Sequence, residues 1–451
     1  MIRYIVLLVS CSLSLSISAT PQYPITMITS LCEAAAVKEN YSDDLASAAF
    51  PLVLDSDGWM NGGSRELSHE FIQSDLKDLK RFRKMLKKEG IDDIYIALVP
   101  PRTIEKDKFK HGNFNNKQEL INAYRNQLTK LNSIGFMTSD LSQGMSSVEP
   151  AFYFKRDIHW RPEGAKVTAE NIANKLSKGD LLEGIPAQTV STYAIGMNVK
   201  SSSFFDQAMY ELCGYKLPTE HAVRYETTPD VEIDLLSESL IPDIALIGTS
   251  YSANDNYHFD NFLKHALQRD VLNYAIAGGG EYGSWLNYFQ ARGDNATTPK
   301  IVVWELPSYS NPASYKDLRQ IIPLANNGCE ESESITTFSS KTTHRGKKEI
   351  IFDDALFDFK ASELIMDIQT NDPLATSMEF RVWFESGFNY DFSIDLIDPA
   401  TADGRFVFEL ANKDWDYRGK VLAIDLLSAS YSSETSPLTL QGKICRNSFR
   451  G

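Results

Sequence analysis

The sequence predicts an α/β domain built on a doubly wound parallel sheet, followed by a C-terminal β-sandwich of the jelly-roll type. Up to about residue 310, short apolar runs alternate with segments of helical period, which is typical of strands covered by helices on both faces. From about residue 327, short alternating segments separated by turn residues replace the helical periods, which is typical of a sandwich. We therefore expect one domain at 20–320 and another at 327–451.

Apolar runs and helical periods define the elements of the first domain. Short apolar runs bounded by turn residues predict strands at 52–54, 94–99, 244–247, 271–275 and 301–307. Helical spacing of apolar residues predicts helices at 68–89, 117–131, 162–176 and 254–269. Residues 180–240 carry no clear period, and an insertion over the rim of the sheet is one interpretation of them.

The first 19 residues have the pattern of a cleaved secretory signal peptide. A basic start at Arg3 precedes an apolar, serine-rich stretch that ends in small residues near Ala19. Export of the mature chain to the periplasm follows, and no later stretch is long and apolar enough to cross a bilayer. The alternative is lipoprotein cleavage, which would leave Cys11 lipidated.

The cysteines indicate disulfides. Removing Cys11 with the signal leaves four, an even number that favours two disulfides in an exported protein, and four cysteines allow three pairings. We expect Cys32–Cys213, which would tie the ends of the first domain together, and Cys329–Cys445, which would join the start and end of the second. No two of these cysteines are close in sequence, so a zinc site is not expected.

A net charge of −15 gives the chain no electrostatic reason to bind nucleic acid. A polyanionic ligand would need a local basic patch that overrides the global field. The basic run at 80–88 ends a predicted helix, where its charges oppose the helix dipole. We interpret it as a solvated helix end rather than a binding patch.

The run at 244–247 predicts a buried strand that ends in a turn carrying Ser250. A serine there has its hydroxyl at the carboxyl edge of the sheet, beside a helix N-terminus whose N–H groups can hold an anion. Esterases and acyltransferases place their nucleophile in this way. The alternative is a plain turn in which the serine caps a helix.

Asp157 and His159 stand just before the helix predicted to begin near Pro162. A nucleophilic serine needs a base within hydrogen-bond reach, and the base needs a third group to fix its tautomer. In a loop, this spacing lets Asp157 accept a hydrogen bond from the imidazole of His159. The alternative is that Asp157 caps the helix and His159 packs beside Trp160.

Three motifs together resemble a known family. They are Asp-Gly-Trp at 57–59, Asp-Ile-His-Trp-x-Pro-x-Gly-Ala at 157–165 and Gly-Thr-Ser-Tyr-Ser at 248–252. In this order they resemble the SGNH-type acyltransferases of alginate modification, the AlgX and AlgJ group, over roughly residues 25–310. The resemblance implies an SGNH hydrolase-like fold and a periplasmic O-acetyltransferase acting on alginate or a similar exopolysaccharide. Ser250 would then be the nucleophile that carries the acetyl group, His159 the general base and acid, and Asp157 the residue that orients His159.

The same resemblance nominates groups for an oxyanion hole. SGNH enzymes use a glycine N–H from the turn after the next strand, so Gly279 and Gly280 are candidates together with the N–H of Ser250. A plain flexible turn is the alternative. No asparagine stands in the place where an ordinary SGNH enzyme has one. Candidates to replace it are three tyrosines, each of which could instead only pack: Tyr251, Tyr257 and Tyr309.

The AlgX branch of the group carries a carbohydrate-binding module after the SGNH-like domain, whereas the AlgJ branch lacks one, so two domains favour the AlgX branch. Sugar binding needs exposed aromatic faces, and uronates also need a cation. Residues with this chemistry, each alternatively part of the sandwich core or surface, are Arg381, Trp383, Lys413, Trp415, Tyr417 and Arg418.

The resemblance also implies partners. We expect an anionic polysaccharide such as alginate, an acetyl donor that is another protein of the acetylation machinery, and proteins of the export complex. A monomer without a cofactor is expected. Two alternatives stay open, an acetyl-polysaccharide esterase and a non-catalytic polysaccharide-binding scaffold. A metal hydrolase built on Asp157, His159, His258 and His265 is disfavoured, because the last two are better explained as residues of one packed helix.

Overall fold

A computed structural model of the chain contains a parallel-sheet region followed by an antiparallel-sheet region. The predicted signal peptide, Cys11 and Asp57 lie outside the residues that the structure describes. These are residues 32–43, 46, 49–54, 58–62, 71, 75–105, 117–200, 203–214, 216, 218–229, 242–291, 298–329, 334–342, 347–411, 413–430 and 437–448.

Strands and helices are numbered in chain order. The strands are β1 (Val53–Leu54), β2 (Met60–Asn61), β3 (Asp93–Val99), β4 (Val190–Val199), β5 (His221–Pro229), β6 (Ile244–Ile247), β7 (Leu272–Asn273), β8 (Ile301–Pro307), β9 (Ser334–Thr342), β10 (Lys348–Phe352), β11 (Leu364–Thr370), β12 (Ser377–Phe384), β13 (Asn389–Asp395), β14 (Arg405–Glu409), β15 (Val421–Ala429) and β16 (Leu438–Arg446). The helices are α1 (Lys77–Lys88), α2 (Lys117–Ser133), α3 (Pro162–Leu176), α4 (Phe204–Cys213), α5 (Ser250–Ala253), α6 (Phe259–Leu267), α7 (Gly283–Ala291) and α8 (Tyr315–Ala325).

A four-stranded parallel sheet in the order β3–β8–β6–β7 forms the centre of the first region. Every residue of β6 and β8 is buried, which explains why both are apolar apart from Glu305 of β8, because helices cover both faces of a parallel sheet. Residues of α3 and α6 pack against one face, and residues of α1, α2, α7 and α8 pack against the other. The predicted doubly wound sheet is therefore confirmed. No described helix is both long and apolar enough to span a bilayer.

The region that the sequence left open contains an antiparallel hairpin, β4–β5, with α4 between its strands. The hairpin is separate from the main sheet, and much of β5 is exposed. Ser203 caps α4 and Gly214 ends it in a left-handed conformation. A disulfide between Cys32 and Cys213 fastens the end of α4 to the first described residues of the chain, as the sequence led us to expect.

Two four-stranded antiparallel sheets form the C-terminal region, in the orders β10–β15–β12–β13 and β14–β11–β16–β9. Their inward side chains, among them Phe380 and Phe408, form one buried apolar cluster, so the predicted sandwich is confirmed. The second disulfide joins Cys329 to Cys445, the pairing expected from the sequence.

The sandwich packs on α1 and α8 of the first region. Arg81 of α1 forms an ion pair with the buried carboxylate of Glu409 and another with Asp78 at 2.9 Å. Arg319 of α8 donates to the main-chain oxygens of Glu409 and Leu410 at 2.8 Å. The interpretation of the basic run as a solvated helix end is therefore wrong for Arg81, because that side chain points into the contact with the sandwich.

Candidate active site

Ser250 is the first residue of α5 and follows β6 directly, so its side chain stands at the carboxyl edge of the sheet. Thr249 caps this helix, its hydroxyl accepting a hydrogen bond from the N–H of Tyr251. Among the described residues, no hydrogen bond engages the N–H of Ser250, as expected for the first position of a helix. This N–H can therefore donate to an anion.

Glu305 of the neighbouring strand β8 supports the turn from below. Its carboxylate is fully buried and accepts hydrogen bonds from Thr249 N–H at 2.8 Å, from Ser252 Oγ at 2.9 Å and from Thr249 Oγ1 at 3.1 Å. Burial raises the pKa of Glu305 to about 7, although these hydrogen bonds favour the charged form. Sequence reasoning missed this residue. The available signal was a single acidic residue within an otherwise apolar buried strand.

The structure brings together the side chains of Ser250, His159 and Asp157, three residues singled out from the sequence. His159 Nε2 lies 2.7 Å from Ser250 Oγ, and Nδ1 hydrogen-bonds Asp157 Oδ1, which also accepts from the main-chain N–H of His159 at 2.9 Å. Burial raises the pKa of Asp157, but the charges and hydrogen bonds of His159 and Lys200 outweigh it, so this pKa lies well below its usual range. Asp157 is thus an ionised acceptor that fixes the ring, and the serine hydroxyl faces the other ring nitrogen.

Two tyrosines hold the imidazole. The ring of Tyr257 stacks on His159 with centroids 5.2 Å apart, and that of Tyr251 lies 4.7 Å away. Tyr251 also donates its hydroxyl to the main-chain oxygen of Ile158 at 2.5 Å. Both tyrosines therefore orient the imidazole, and their contacts do not support the oxyanion role suggested for them. Tyr309, the third candidate, lies in the turn after β8.

The loop before His159 is held from two sides. Arg102, buried after β3, donates to the main-chain oxygen of Phe154 at 3.0 Å and also to that of Lys155. On the other side, the Glu220 carboxylate accepts from the N–H groups of Lys155 and Arg156, each at 2.9 Å. Glu220 immediately precedes β5 and was not predicted as a site residue, since nothing in the local sequence indicates this contact.

Comparison with known proteins gives the family. A family model described as "SGNH hydrolase-like domain, acetyltransferase AlgX" matches residues 52–308, which is more than half of the chain. The chain belongs to the AlgX family. A second model, a C-terminal carbohydrate-binding module, matches residues 328–451.

Individual relatives agree with this assignment. The alginate biosynthesis protein AlgX of Pseudomonas aeruginosa is 28% identical over 418 residues, which span 90% of this chain and 87% of that protein. The probable alginate O-acetylase AlgJ of Pseudomonas putida is 28% identical over 291 residues, which span 61% and 74%. The solved structure of Pseudomonas aeruginosa AlgX matches with a TM-score of 0.76 and 26% identity, over 92% of this chain and 99% of that one. The expected AlgX-like arrangement of two regions is confirmed.

In this AlgX-family chain, the two glycines proposed for the oxyanion hole have different surroundings. Both follow β7 at the same sheet edge as Ser250, but a Cβ on Gly279 would lie 3.5 Å from the buried Asp398 Oδ2 of the C-terminal region. A carboxylate in this position disfavours an anion beside Gly279. Gly280 has a positive φ of 61° and open space around it, so it is the better candidate of the two.

A polar cavity of about 320 Å³ lies near the site, between the β4–β5 hairpin and the turn that follows α5. It is lined by Asn198, Arg224, Tyr225, Asp255, Asn256 and His258. His258 hydrogen-bonds Thr227 there, at 2.7 Å. Within the described residues, no three His, Cys, Asp or Glu side chains are grouped to hold a metal ion, so His258 and His265 do not form such a group with the Asp157–His159 pair.

Two of the residues predicted to contact sugar form hydrogen bonds with carboxylates of the sandwich itself. Arg381 forms a two-point pair with Asp391 on the neighbouring strand, with both N–O distances 2.5 Å. The indole N–H of Trp383 donates to Asp425 at 2.7 Å. The charge of Arg381 is therefore already offset by a carboxylate, which weakens its prediction as a uronate contact.

Tyr417 and Arg418 lie together at the surface of the sandwich. Tyr417 is 73% exposed, and the half-buried Arg418 has its guanidinium 4.3 Å from the ring centroid of Tyr417 and 4.4 Å from that of Phe388. Trp415 is half-buried against the core, with its ring 4.0 Å from that of Tyr390. Lys413 lies in the same turn, but its side chain is outside the described residues. Of these residues, Tyr417 has the exposed aromatic face that sugar binding needs, with a cation beside it.

Proposed function

We propose that this chain is a periplasmic O-acetyltransferase that acetylates hydroxyls of alginate, or of a similar anionic exopolysaccharide, during its synthesis and export. The observation that carries the proposal is the continuous hydrogen-bonded series from Ser250 through His159 to Asp157 at the carboxyl edge of the sheet. The names of the relatives support the substrate class, since AlgX is an alginate biosynthesis protein and AlgJ a probable alginate O-acetylase.

In the first step, His159 Nε2 takes the proton from Ser250 Oγ as this oxygen attacks the carbonyl carbon of the acetyl donor. Asp157 stabilises the resulting imidazolium, and the N–H of Ser250, with Gly280 as the second donor, receives the oxyanion. The bond to the leaving group then breaks and the leaving group takes the proton from His159. Ser250 is left as an acetyl ester.

The second step reverses these roles. His159 accepts the proton of a sugar hydroxyl while that oxygen attacks the acetyl carbon, and the proton then returns to Ser250 Oγ as the ester bond to the serine breaks. The carbohydrate-binding module would hold the polymer, with the exposed ring of Tyr417 and the Arg418 guanidinium beside it as contacts. Another protein of the acetylation machinery would supply the donor.

The test uses purified protein, mannuronate oligomers of defined length and a small activated acetyl ester as donor. Mass spectrometry follows both acetylated sugar and an acetyl group on Ser250. Ser250→Ala should abolish the acetyl-enzyme and lower transfer by roughly 10⁵-fold or more. Ser133→Ala is the matched control, because this exposed serine only hydrogen-bonds its own helix.

Other outcomes would replace the proposal. Acetate release that is unaffected by added oligomer would indicate an esterase. Unchanged acetylation of the polymer in producing cells that carry Ser250→Ala would indicate a non-catalytic scaffold.

A further inference from the structure

Lys200, the residue after β4, brings a positive charge to the Asp157 carboxylate. Its Nζ lies 2.8 Å from Asp157 Oδ2, whereas the other oxygen, Oδ1, is taken by the ring and main chain of His159. The Lys200 side chain is only 11% exposed, and its ammonium lies 5.4 Å from the ring centroid of Phe154 and 5.6 Å from that of Tyr257. Aromatic rings therefore enclose this ion pair, and one of them, that of Tyr257, also stacks on the imidazole of His159.

We propose that Lys200 is a positioning residue of the acetyl-transfer site, a fourth member of the series Ser250, His159 and Asp157. This inference rests on the proposed function. Lys200 acts through Asp157, holding the carboxylate in one orientation and offsetting part of its negative charge. The insertion between α3 and β6 thus supplies a group to the site as well as covering the rim.

The hairpin fixes the position of Lys200. Its main-chain N–H donates to the oxygen of Glu220 at 2.8 Å, and Glu220 also holds the loop before Asp157 through its carboxylate. Without the ammonium, Asp157 Oδ2 would be a buried charged oxygen lacking its partner, which is unfavourable. The ammonium therefore adds a further fixed contact to the carboxylate, beside its hydrogen bonds to the ring and main chain of His159.

The positive charge of Lys200 affects how readily His159 holds a proton. The negative charge of Asp157 stabilises His159 in its imidazolium form, and a cation on the far side of the carboxylate opposes this. Other titratable groups that face the ring are Tyr251 and Tyr257, and burial raises the pKa of Tyr257. Two other cations of the loop pair elsewhere, Arg156 with Asp206 and Arg161 with Glu163. Lys200 therefore limits how strongly His159 retains the proton that it must pass on in each step.

The test compares Lys200→Met, which removes the charge, with Lys200→Arg, which keeps it. Lys264→Met is the control. Lys264 lies on α6, outside the site, and forms an ion pair with Asp270 at 3.2 Å. For each protein, kcat/KM for transfer is measured from pH 5 to 9, and ring NMR of His159 is recorded over the same range.

For Lys200→Met we expect roughly a tenfold loss of kcat/KM and a shift of the acid limb, and of the His159 ring titration, to higher pH by about one unit. Lys200→Arg should keep the wild-type midpoint even if its rate is lower, and Lys264→Met should match wild type. An unchanged midpoint in Lys200→Met would overturn the inference, since a purely structural loss lowers the rate equally at every pH. Because the NMR titration does not depend on turnover, it tests Lys200 even if Ser250→Ala shows that the proposed transfer reaction is wrong.

Discussion

The two sides of the site are held in place by different means. On one side, the turn that carries Ser250 rests on the sheet itself, since Glu305 of the adjacent strand bonds both Thr249 and Ser252. On the other, the loop that carries Asp157 and His159 is held by Arg102, which follows β3, and by Glu220 and Lys200 of the hairpin insertion. The serine turn therefore depends on strand register, whereas the acid–base loop depends on contacts between segments far apart in sequence.

This difference suggests a division of tasks. In the proposed reaction the nucleophile Ser250 must stand at a fixed point, and a fully buried parallel sheet provides one because neighbouring strands cannot shift without breaking the core. Some of the polar contacts that set the position of the acid–base loop come from the hairpin, outside that sheet, so we expect changes in the insertion to affect His159 without displacing Ser250. Three variants test this comparison.

The largest effect should come from Asp157→Asn, which acts where the acid–base loop meets the serine. An amide N–H facing Nδ1 would force the proton onto Nε2, so His159 could no longer accept the proton of Ser250. We expect kcat to fall by about 10⁴-fold with the fold retained. Transfer kinetics and circular dichroism measure the two quantities, and His221→Asn, a change at an exposed histidine, is the control. A fall in kcat of tenfold or less would mean that Ser250, His159 and Asp157 do not act together as proposed.

Sequence alone predicted the serine side better than the acid–base side, for physical reasons. Buried strands such as β6 and β8 leave short, almost entirely apolar runs, and Ser250, His159 and Asp157 stand in compact motifs. The hairpin shows mixed exposure, so neither strand alternation nor a helical period marks it. Lys200 and Glu220 act on residues 43 and 64 or 65 positions away, and a single sequence carries no signal for such pairs.

An intermediate effect is expected on stability from Glu305→Gln on the serine side. Since the folded-state pKa is raised to about 7, the folded protein retains a proton between pH 4.5 and 7 that the unfolded chain has lost. This contribution to the free energy of unfolding therefore decreases as pH rises through that window, by about 3 kcal/mol in total. Glutamine can accept from Thr249 N–H and has no charge to bury. The free energy of unfolding of Glu305→Gln, relative to that of wild type, should therefore increase by about 3 kcal/mol as pH rises from 4.5 to 8.

Urea unfolding of both proteins across this pH range measures the difference. Glu170→Gln is the control, since this glutamate is exposed on α3 and its replacement should leave the pH dependence unchanged. A difference between Glu305→Gln and wild type that stays constant with pH would show that the Glu305 carboxyl does not gain a proton in the folded state.

The smallest effect should come from Glu220→Gln on the acid–base side. The carboxylate accepts from two main-chain N–H groups of the loop, and an amide can accept from only one of them, leaving the other facing an NH₂ group. We expect kcat/KM to fall about tenfold, roughly 1.4 kcal/mol, with little change in overall stability. Glu211→Gln, at an exposed position of α4, is the control. Because Glu220 holds the loop before His159, and His159 moves a proton in both proposed steps, formation of the acetyl-serine and transfer to the sugar should slow together. A variant as active as wild type would show that Arg102 and Lys200 suffice to hold the loop, and the insertion would then act at the site through Lys200 alone.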